Sequence, residues 1–358
     1  MNSQAYAVFA ENGPITAVEI EVPSPSAHGV VLRVTNVGVC HSDTHIREGG
    51  YNLGNGTLLR LADRGINFPI VMGHETVGEV VAIGDAVTSC AIGDTRLVYP
   101  WIGCGECSHC LAGHDPLCAD QRAIGVSRPG GYAELVSVPH EKFVLDFGDI
   151  DPGWAATLAC SGLTAYSATS KVLQHVSPSQ PIVVIGAGGV GLTAIATLKA
   201  RGHQNICAVD VKESNLEAAR RVGASSTVLT SGDQAAADIL NTIGEPASGV
   251  IDFVGSTPTS NTAVSVLAKG GRLVLVGLFG GELVLPTVLV TIKILSILGS
   301  YLGDLQDLKD ILELAVSGRL PKIPIENGHL DPQSISDSLS RLVAGGVQGR
   351  IVLSPDVI

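Results

Sequence analysis

The chain has 358 residues, 45% of them hydrophobic and only 16% charged, which supplies apolar material for a sizeable core and excludes a disordered chain. Its net charge of −12, with no basic block, speaks against nucleic acid as a partner, because a phosphate-backbone binder needs a Lys/Arg stripe. At roughly 150 residues per domain the length predicts two domains or one large one.

No signal peptide is visible at Met1 to Ala10, which has neither a basic start nor an apolar stretch. Tyr6 to Phe9, Thr16 to Val22, Val30 to Val39 and Val77 to Ile83 read as short strands punctuated by Pro and Gly, predicting an all-β region of barrel-like character. Two excursions, 47–69 and 101–131, are polar, Gly-rich and longer than ordinary connections, which predicts function or metal pinning. Beyond residue 160 the pattern changes. Ile182 to Ile185 is an apolar run followed by a Gly-rich turn and a helix over Val190 to Arg201. Ile206 to Val209, a helix from Asn215 to Val222, and runs at Thr227 to Leu229, Val250 to Val254, Leu273 to Val276 and Ile294 to Leu298 continue the series. Continuous apolar strands alternating with helices predict a parallel sheet covered on both faces. Helices at Leu305 to Val316 and Pro332 to Val343 and a last strand, Arg350 to Leu353, complete the series. The most apolar segment, Leu283 to Gly299, is interrupted by Pro286 and Lys293 and is short for a bilayer span of about 20 residues. It reads as a buried strand or subunit contact, and the protein as soluble, cytoplasmic and without a membrane partner.

Gly186-Ala187-Gly188-Gly189-Val190-Gly191 fits G-x-G-x-x-G between a strand and a helix, and Asp210 ends the next strand, 19 residues after Gly191. Glycines let the backbone approach a pyrophosphate at the helix N-terminus, where free N–H groups favour anions. Asp210 can accept from both ribose hydroxyls and repels a 2′-phosphate, so NAD is expected rather than NADP, with Lys212 as the one nearby countersign.

Cys104, Cys107, Cys110 and Cys118 place four thiols within fifteen residues, the donor set of a closed tetrahedral zinc site. His109 and His114 lie in the same loop and read as bystanders. A second set is dispersed: Cys40, His74-Glu75 and Cys160. Their contexts, Gly38-Val39-Cys40-His41-Ser42-Asp43 and Gly73-His74-Glu75-x2-Gly78, together with the cysteine loop and the fingerprint, resemble the medium-chain zinc alcohol dehydrogenase family over essentially the whole chain.

That resemblance implies an α/β protein with a GroES-like, β-rich catalytic domain (1–160 and 300–358) and a Rossmann coenzyme domain with a doubly wound parallel sheet (161–299). It implies two zinc ions per subunit: a catalytic one on Cys40, His74 and Cys160 with one position open, and a structural one on the four-cysteine loop. Asp43 matches the carboxylate that orients His74, and Glu75 a neighbour that modulates the metal's charge. Ser42 and His45 match a proton relay; Thr164 matches a nicotinamide contact, Val276 a coenzyme-binding position, and His41 and Arg350 positions facing the pyrophosphate. Tyr51 and Trp101 are the expected pocket walls, suited to apolar alcohols. The expected reaction is reversible NAD-dependent oxidation of primary or secondary alcohols to aldehydes or ketones.

Same-fold competitors are polyol or threonine dehydrogenases. Zinc-free quinone reductases are disfavoured because every ligand cysteine and histidine is present, and a zinc-ribbon interaction module by the acidic charge. The short loop between Cys118 and Cys160 resembles tetrameric microbial members, and an apolar last strand predicts pairing of sheets across a two-fold axis, so a homotetramer is expected. The 33 residues between Cys40 and His74 include an insert, 52–68, resembling that of bacterial 6-hydroxyhexanoate dehydrogenases. Its Arg60 and Arg64 make an ω-hydroxy acid the alternative substrate, held by a carboxylate clamp at the pocket mouth.

Overall fold

The computed structural model describes residues 1–355. Its central element is a six-stranded sheet, all parallel, in the order Ser226–Leu229, Ile206–Asp210, Ile182–Ile185, Ala247–Asp252, Leu267–Leu275, Ser296–Gly299. The unbroken apolar runs of these strands follow from burial on both faces. Ile182, Val184, Ile206 and Ala208 enter one core, while Val183, Ile185, Cys207 and Val209 enter another on the opposite side. Chain order reverses between Ile182–Ile185 and Ala247–Asp252, so the crevice at the strands' carboxyl ends opens there.

The β-rich half is built on Val30–Val39, which pairs antiparallel with Glu75–Ile83, Leu135–Val138 and Arg350–Ser354. The strand nearest the chain's end is thus laid beside one near its start, and Ile325–His329 extends the sheet from it in parallel. A separate sheet joins Asn2–Val8, Ile15–Glu21 and Ile70–Val71. A β-rich half and a parallel sheet with helices between its strands, the two parts expected, are therefore present in one chain.

Three segments differ from the sequence expectation. The excursion 47–69 is not irregular: Gly50–Gly54 and Thr57–Arg60 form an antiparallel hairpin, turned at Asn55-Gly56, both at positive φ. Its alternation is hidden because the hairpin is largely exposed and needs no apolar face. Leu283 to Gly299 is not one buried strand. It holds an exposed helix, Thr287–Lys293, then Ile294 at φ 53, and only Ser296–Gly299 pairs with the sheet. Pro286 fits the N-cap of that helix, and local helix formation overrides the β-branched composition. Strand Leu267–Leu275 starts earlier than the apolar run because Lys269, Gly270 and Gly271 interrupt it. No helix among the described residues is long and apolar enough to cross a membrane.

Candidate active site and metal centres

Cys40 caps the helix His41–Glu48, whose first amides converge on it: Ser42 N donates to Cys40 Sγ at 3.5 Å, and Asp43 Oδ2 accepts from Cys40 N at 2.9 Å. The capping geometry that starts the helix also fixes the sulfur at the helix N-terminus. Cys160 arrives on a single π-helical turn, Leu158–Gly162, between two α-helices, a distortion that re-aims a side chain. His74 begins the strand Glu75–Ile83 from the opposite wall. These three, with Glu75, bring one donor atom each within 4.8 Å of one another, all buried.

The donors suit a soft divalent cation. Cys40 and Cys160 sulfurs lie 3.7 Å apart, and the Cys160 hydrogen bond, then the His74 imidazole, hold the Cys40 thiol well below its usual range. His74 Nε2 and Glu75 Oε2 are buried with no hydrogen-bond partner, which is costly unless something else binds them. Asp43 Oδ1 stands 3.2 Å from His74 Nδ1, and its other oxygen also accepts from the Tyr132 hydroxyl at 3.1 Å. The imidazole is thereby set with its far nitrogen facing the thiols. Tyr132 had no sequence signal, being a lone aromatic after two glycines.

Glu75 lies flush against Gly38, where a Cβ would come within 2.0 Å of its Oε2. Burial pushes its carboxyl up to about 7 even though Arg350 opposes the shift. Arg350 donates to Glu75 Oε1 and is 3% exposed. It also reaches Gly189, where a Cβ would meet Arg350 Cδ at 2.5 Å. The guanidinium therefore stands between the metal centre and the start of the fingerprint helix.

The fingerprint turn is close-packed: a Cβ on Gly191 would fall 1.8 Å from Gly186 O. Asp210 Oδ2 accepts from Ala187 N at 2.8 Å and Asn215 Nδ2 at 3.2 Å, and Oδ1 accepts from Lys212 N at 2.9 Å. Asn215, on the first turn of the next helix, was legible only as a polar helix-start residue. The Lys212 ammonium is engaged by Gly345 O rather than left free for a phosphate.

A cleft of about 360 Å³ joins these parts. Cys40, His41, Ser42, His45, Cys160, Thr164, Gly186, Gly188, Gly189, Val190, Gly191, Asp210, Lys212, Val276 and Arg350 all line it, so the sequence-predicted coenzyme and relay residues share one space. Phe253, Leu278, Phe279, Tyr301 and Leu302 line it too, and none carried a readable motif. His45 is half-buried, with Nδ1 3.6 Å from Glu48 Oε2; burial, then His41, lowers its pKa.

The two expected pocket walls lie beside the cleft rather than in its lining. Trp101 does not line the cleft: it is 3% exposed, donates to Ala159 O at 3.1 Å, and sets its ring 5.0 Å from that of His74. It packs behind the metal ligands and supports the π turn. Tyr51 stands at the rim, its ring 5.3 Å from His45, and burial with Tyr301 beside it pushes the phenol above its usual range. The clamp of two arginines is not assembled, because Arg60 pairs with Glu11 at 3.1 Å, while Arg64 is exposed near Tyr51.

The four-cysteine loop is equally organised. Cys104, Cys107, Cys110 and Cys118 sulfurs lie within 4.8 Å of one another, Cys107 N donates to Cys104 Sγ, and Cys104 N to Cys118 Sγ, each at 3.3 Å. Backbone amides lower the Cys104 thiol to about 7. Asp115 ties the loop by accepting from Gly103 N at 3.0 Å. His114 turns away to Asp304 at 3.3 Å. Four thiolates form a complete zinc shell with no position left over.

Residues 26–148 match the alcohol dehydrogenase GroES-like domain, and 189–317 the zinc-binding dehydrogenase domain. The chain is 36% identical over 344 residues to an NAD-dependent alcohol dehydrogenase of Sulfurisphaera tokodaii, covering 96% of this chain and 97% of that one. The crystal structure of the alcohol dehydrogenase from Aeropyrum pernix superposes with a TM-score of 0.89 at 31% identity, covering 98% of this chain and 100% of that one. A D-arabinose 1-dehydrogenase (NADP(+)) of Saccharolobus solfataricus is 29% identical, covering 96% and 95%.

Proposed function

From the premise that this chain belongs to the zinc-binding alcohol dehydrogenase family and is an NAD-dependent alcohol dehydrogenase, we propose how its residues divide the work. Cys40, His74 and Cys160 would hold the catalytic zinc, and the four-cysteine loop a structural one, two ions per chain. Zinc supplies a Lewis acid that lowers the pKa of an alcohol, and NAD accepts the hydride. Ser42, one residue into the helix capped by Cys40, takes the hydroxyl proton. His45, three residues on and on the same helical face, passes it towards solvent. Asp210 receives the ribose hydroxyls, and the amides at Gly188 to Val190 the pyrophosphate. Thr164 and Val276 flank the nicotinamide position, with His41 and Arg350 neutralising phosphate charge.

The observation that carries this reading is the cleft lined both by the two thiols of a two-thiol, one-imidazole donor set and by the fingerprint. The substrate end, with Leu278, Phe279, Tyr301 and Leu302, favours apolar primary or secondary alcohols. An ω-hydroxy acid is the second reading and rests on Arg64 alone. We assign 1–160 and 300–358 to the catalytic half and 161–299 to the coenzyme half. We also propose a cytoplasmic homotetramer, because the outer edge of Ser296–Gly299 is unpaired beside exposed Val288, Ile292 and Ile294. Initial rates with straight-chain, aromatic, secondary and ω-hydroxy-acid alcohols test the substrate assignment. Metal analysis tests the ion count: fewer than two zincs in fully active protein would refute it.

A further inference from the structure

A second cavity lies apart from the catalytic cleft. It measures about 440 Å³ and lies against the outer sheet, between Asn2–Val8 and Ile15–Glu21 on one side and loops 65–71 and 126–129 on the other. A volume of this size is within the range of small-molecule sites, about 300–1,000 Å³. Ten of its fourteen lining residues are apolar, among them Phe9, Val18, Ile20, Ile66 and Val126, and the only ionised one is Arg128. Such a lining, apolar with one charged group, is the usual composition of a site that orients an amphipathic molecule.

Arg128 is half-buried and makes no ion pair among the described residues. Its Nε donates to Arg122 O at 3.1 Å, and no carboxylate among the described residues lies within salt-bridge distance of it. Arg122, by contrast, is taken by Asp120 at 2.7 Å. Partial burial, then the Arg122 charge, lowers the Arg128 pKa, so the cation is both desolvated and repelled in a chain of net charge −12. The free end of a guanidinium offers two parallel N–H donors, which match one carboxylate.

The cavity is also joined to the catalytic centre. The loop that carries Arg128 is zipped to the segment leading into His74: Gly130 N donates to Val71 O at 2.9 Å, Gly131 N to Gly73 O at 2.6 Å, and Tyr132 N to Met72 O at 3.0 Å. Val71 lines the cavity, and Tyr132 holds the Asp43 carboxylate that sets His74. A molecule filling the cavity would therefore press on the segment Ile70–Val71, three residues before His74.

We propose that this cavity is a second binding site, for a medium-chain amphipathic carboxylate whose alkyl chain lies along Phe9, Val18 and Ile20 and whose head group pairs with Arg128. The site does not depend on which alcohol the enzyme oxidises. Such a carboxylate is the product class of oxidising a primary alcohol beyond the aldehyde, so occupancy would report a later stage of the same chemistry back to His74.

Decanoate is the probe, titrated calorimetrically into the zinc-loaded enzyme saturated with NADH. Arg128→Gln should weaken it ten- to a hundredfold, the loss of a charged hydrogen-bonded pair, and Val18→Trp, which fills the cavity, should abolish binding. Decanol and decyltrimethylammonium should bind at least tenfold more weakly than decanoate. Without decanoate, both variants should keep the wild-type kcat. Decanoate should change wild-type kcat without competing with alcohol. Unchanged decanoate binding in both variants, strict competition with alcohol, or no binding at millimolar concentration would each overturn the proposal. So would a change of oligomeric state in Val18→Trp, which would make the cavity a contact between copies of this chain.

Discussion

Replacing Arg350 by Met should separate the two things this side chain does. Arg350 and Glu75 are buried together, 3% and 0% exposed, and the guanidinium is the only cation bonded to that carboxylate among the described residues. Removing one member of a buried pair costs about 3–5 kcal/mol, because the other is left charged and unpaired, whereas removing both is close to neutral. Here the freed carboxylate has somewhere to turn: Glu75 Oε2 already lacks a partner and belongs to the cluster with Cys40, His74 and Cys160. The loss should therefore sit at the lower end, about 3 kcal/mol. It should be accompanied by a fall in kcat of at least about tenfold, equivalent to about 1.4 kcal/mol, as the open position among the donors is taken up. The double variant Glu75→Gln/Arg350→Met should recover at least half of the stability and most of kcat. In both variants KM for NAD should stay raised, since the cation beside Gly189 is gone. Urea unfolding followed by tryptophan fluorescence at fixed zinc, with steady-state kinetics on the same samples, reads all three quantities. If Arg350→Met lies within 1 kcal/mol of wild type, or the double variant is worse than the single, the pair is not the counter-charge described here.

Asp210→Ala should raise KM for NAD about ten- to a hundredfold while leaving NADP less affected, since it removes a charged acceptor and a repulsive charge; an unchanged ratio of kcat/KM for the two coenzymes would count against the ribose assignment. Ser42→Ala should lower turnover strongly with zinc content and NADH binding intact, and His45→Gln should cost less because water can replace the outer group; wild-type activity in Ser42→Ala would remove the relay. Glu141 is held down at about 2, against an ordinary 4.5, by the Ser89 hydroxyl and the Thr88 and Ser89 amides. The stability difference between wild type and Glu141→Gln should thus be complete above pH 4.5 and shrink as pH falls towards 2; a difference constant across that interval in urea titrations would refute it.

Much of the site was legible because its chemistry is written in short local patterns. The cysteine loop needs only spacing, and the fingerprint needs only glycines between a strand and a helix, so both survive without tertiary information. Cys40, His74 and Cys160 were readable through their neighbours, not through themselves. What could not be read depends on contacts between distant segments. Trp101 looked like a wall because aromatics near a site often are, yet its indole N–H finds Ala159 O on the π turn, a geometry no sequence pattern announces. Tyr132 and the cleft residues Phe253, Phe279 and Tyr301 stand alone in sequence and acquire meaning only where loops converge. Arg60 illustrates the same point: its charge was plain, but Glu11, its partner, lies 49 residues away. The exposed hairpin and the helix Thr287–Lys293 were missed because neither buries a face, so neither shows a period.

The strand Arg350–Ser354 has a consequence for the order in which the molecule comes into being. Arg350 follows Glu75 by 275 residues, so during synthesis Cys40, His74 and Glu75 leave the ribosome long before their counter-charge does. The parallel sheet of 182–299 is contiguous and can close as soon as its last strand emerges, whereas Val37–Val39 at the end of the strand Val30–Val39 lack a partner on one side until Ile351–Leu353 arrive. The four-cysteine loop, spanning fifteen residues, could take up an ion early, which would hold this stretch of the nascent chain compact. The catalytic donors are all present by residue 160, and their counter-charge is added last, when the far end of the chain returns to the first sheet.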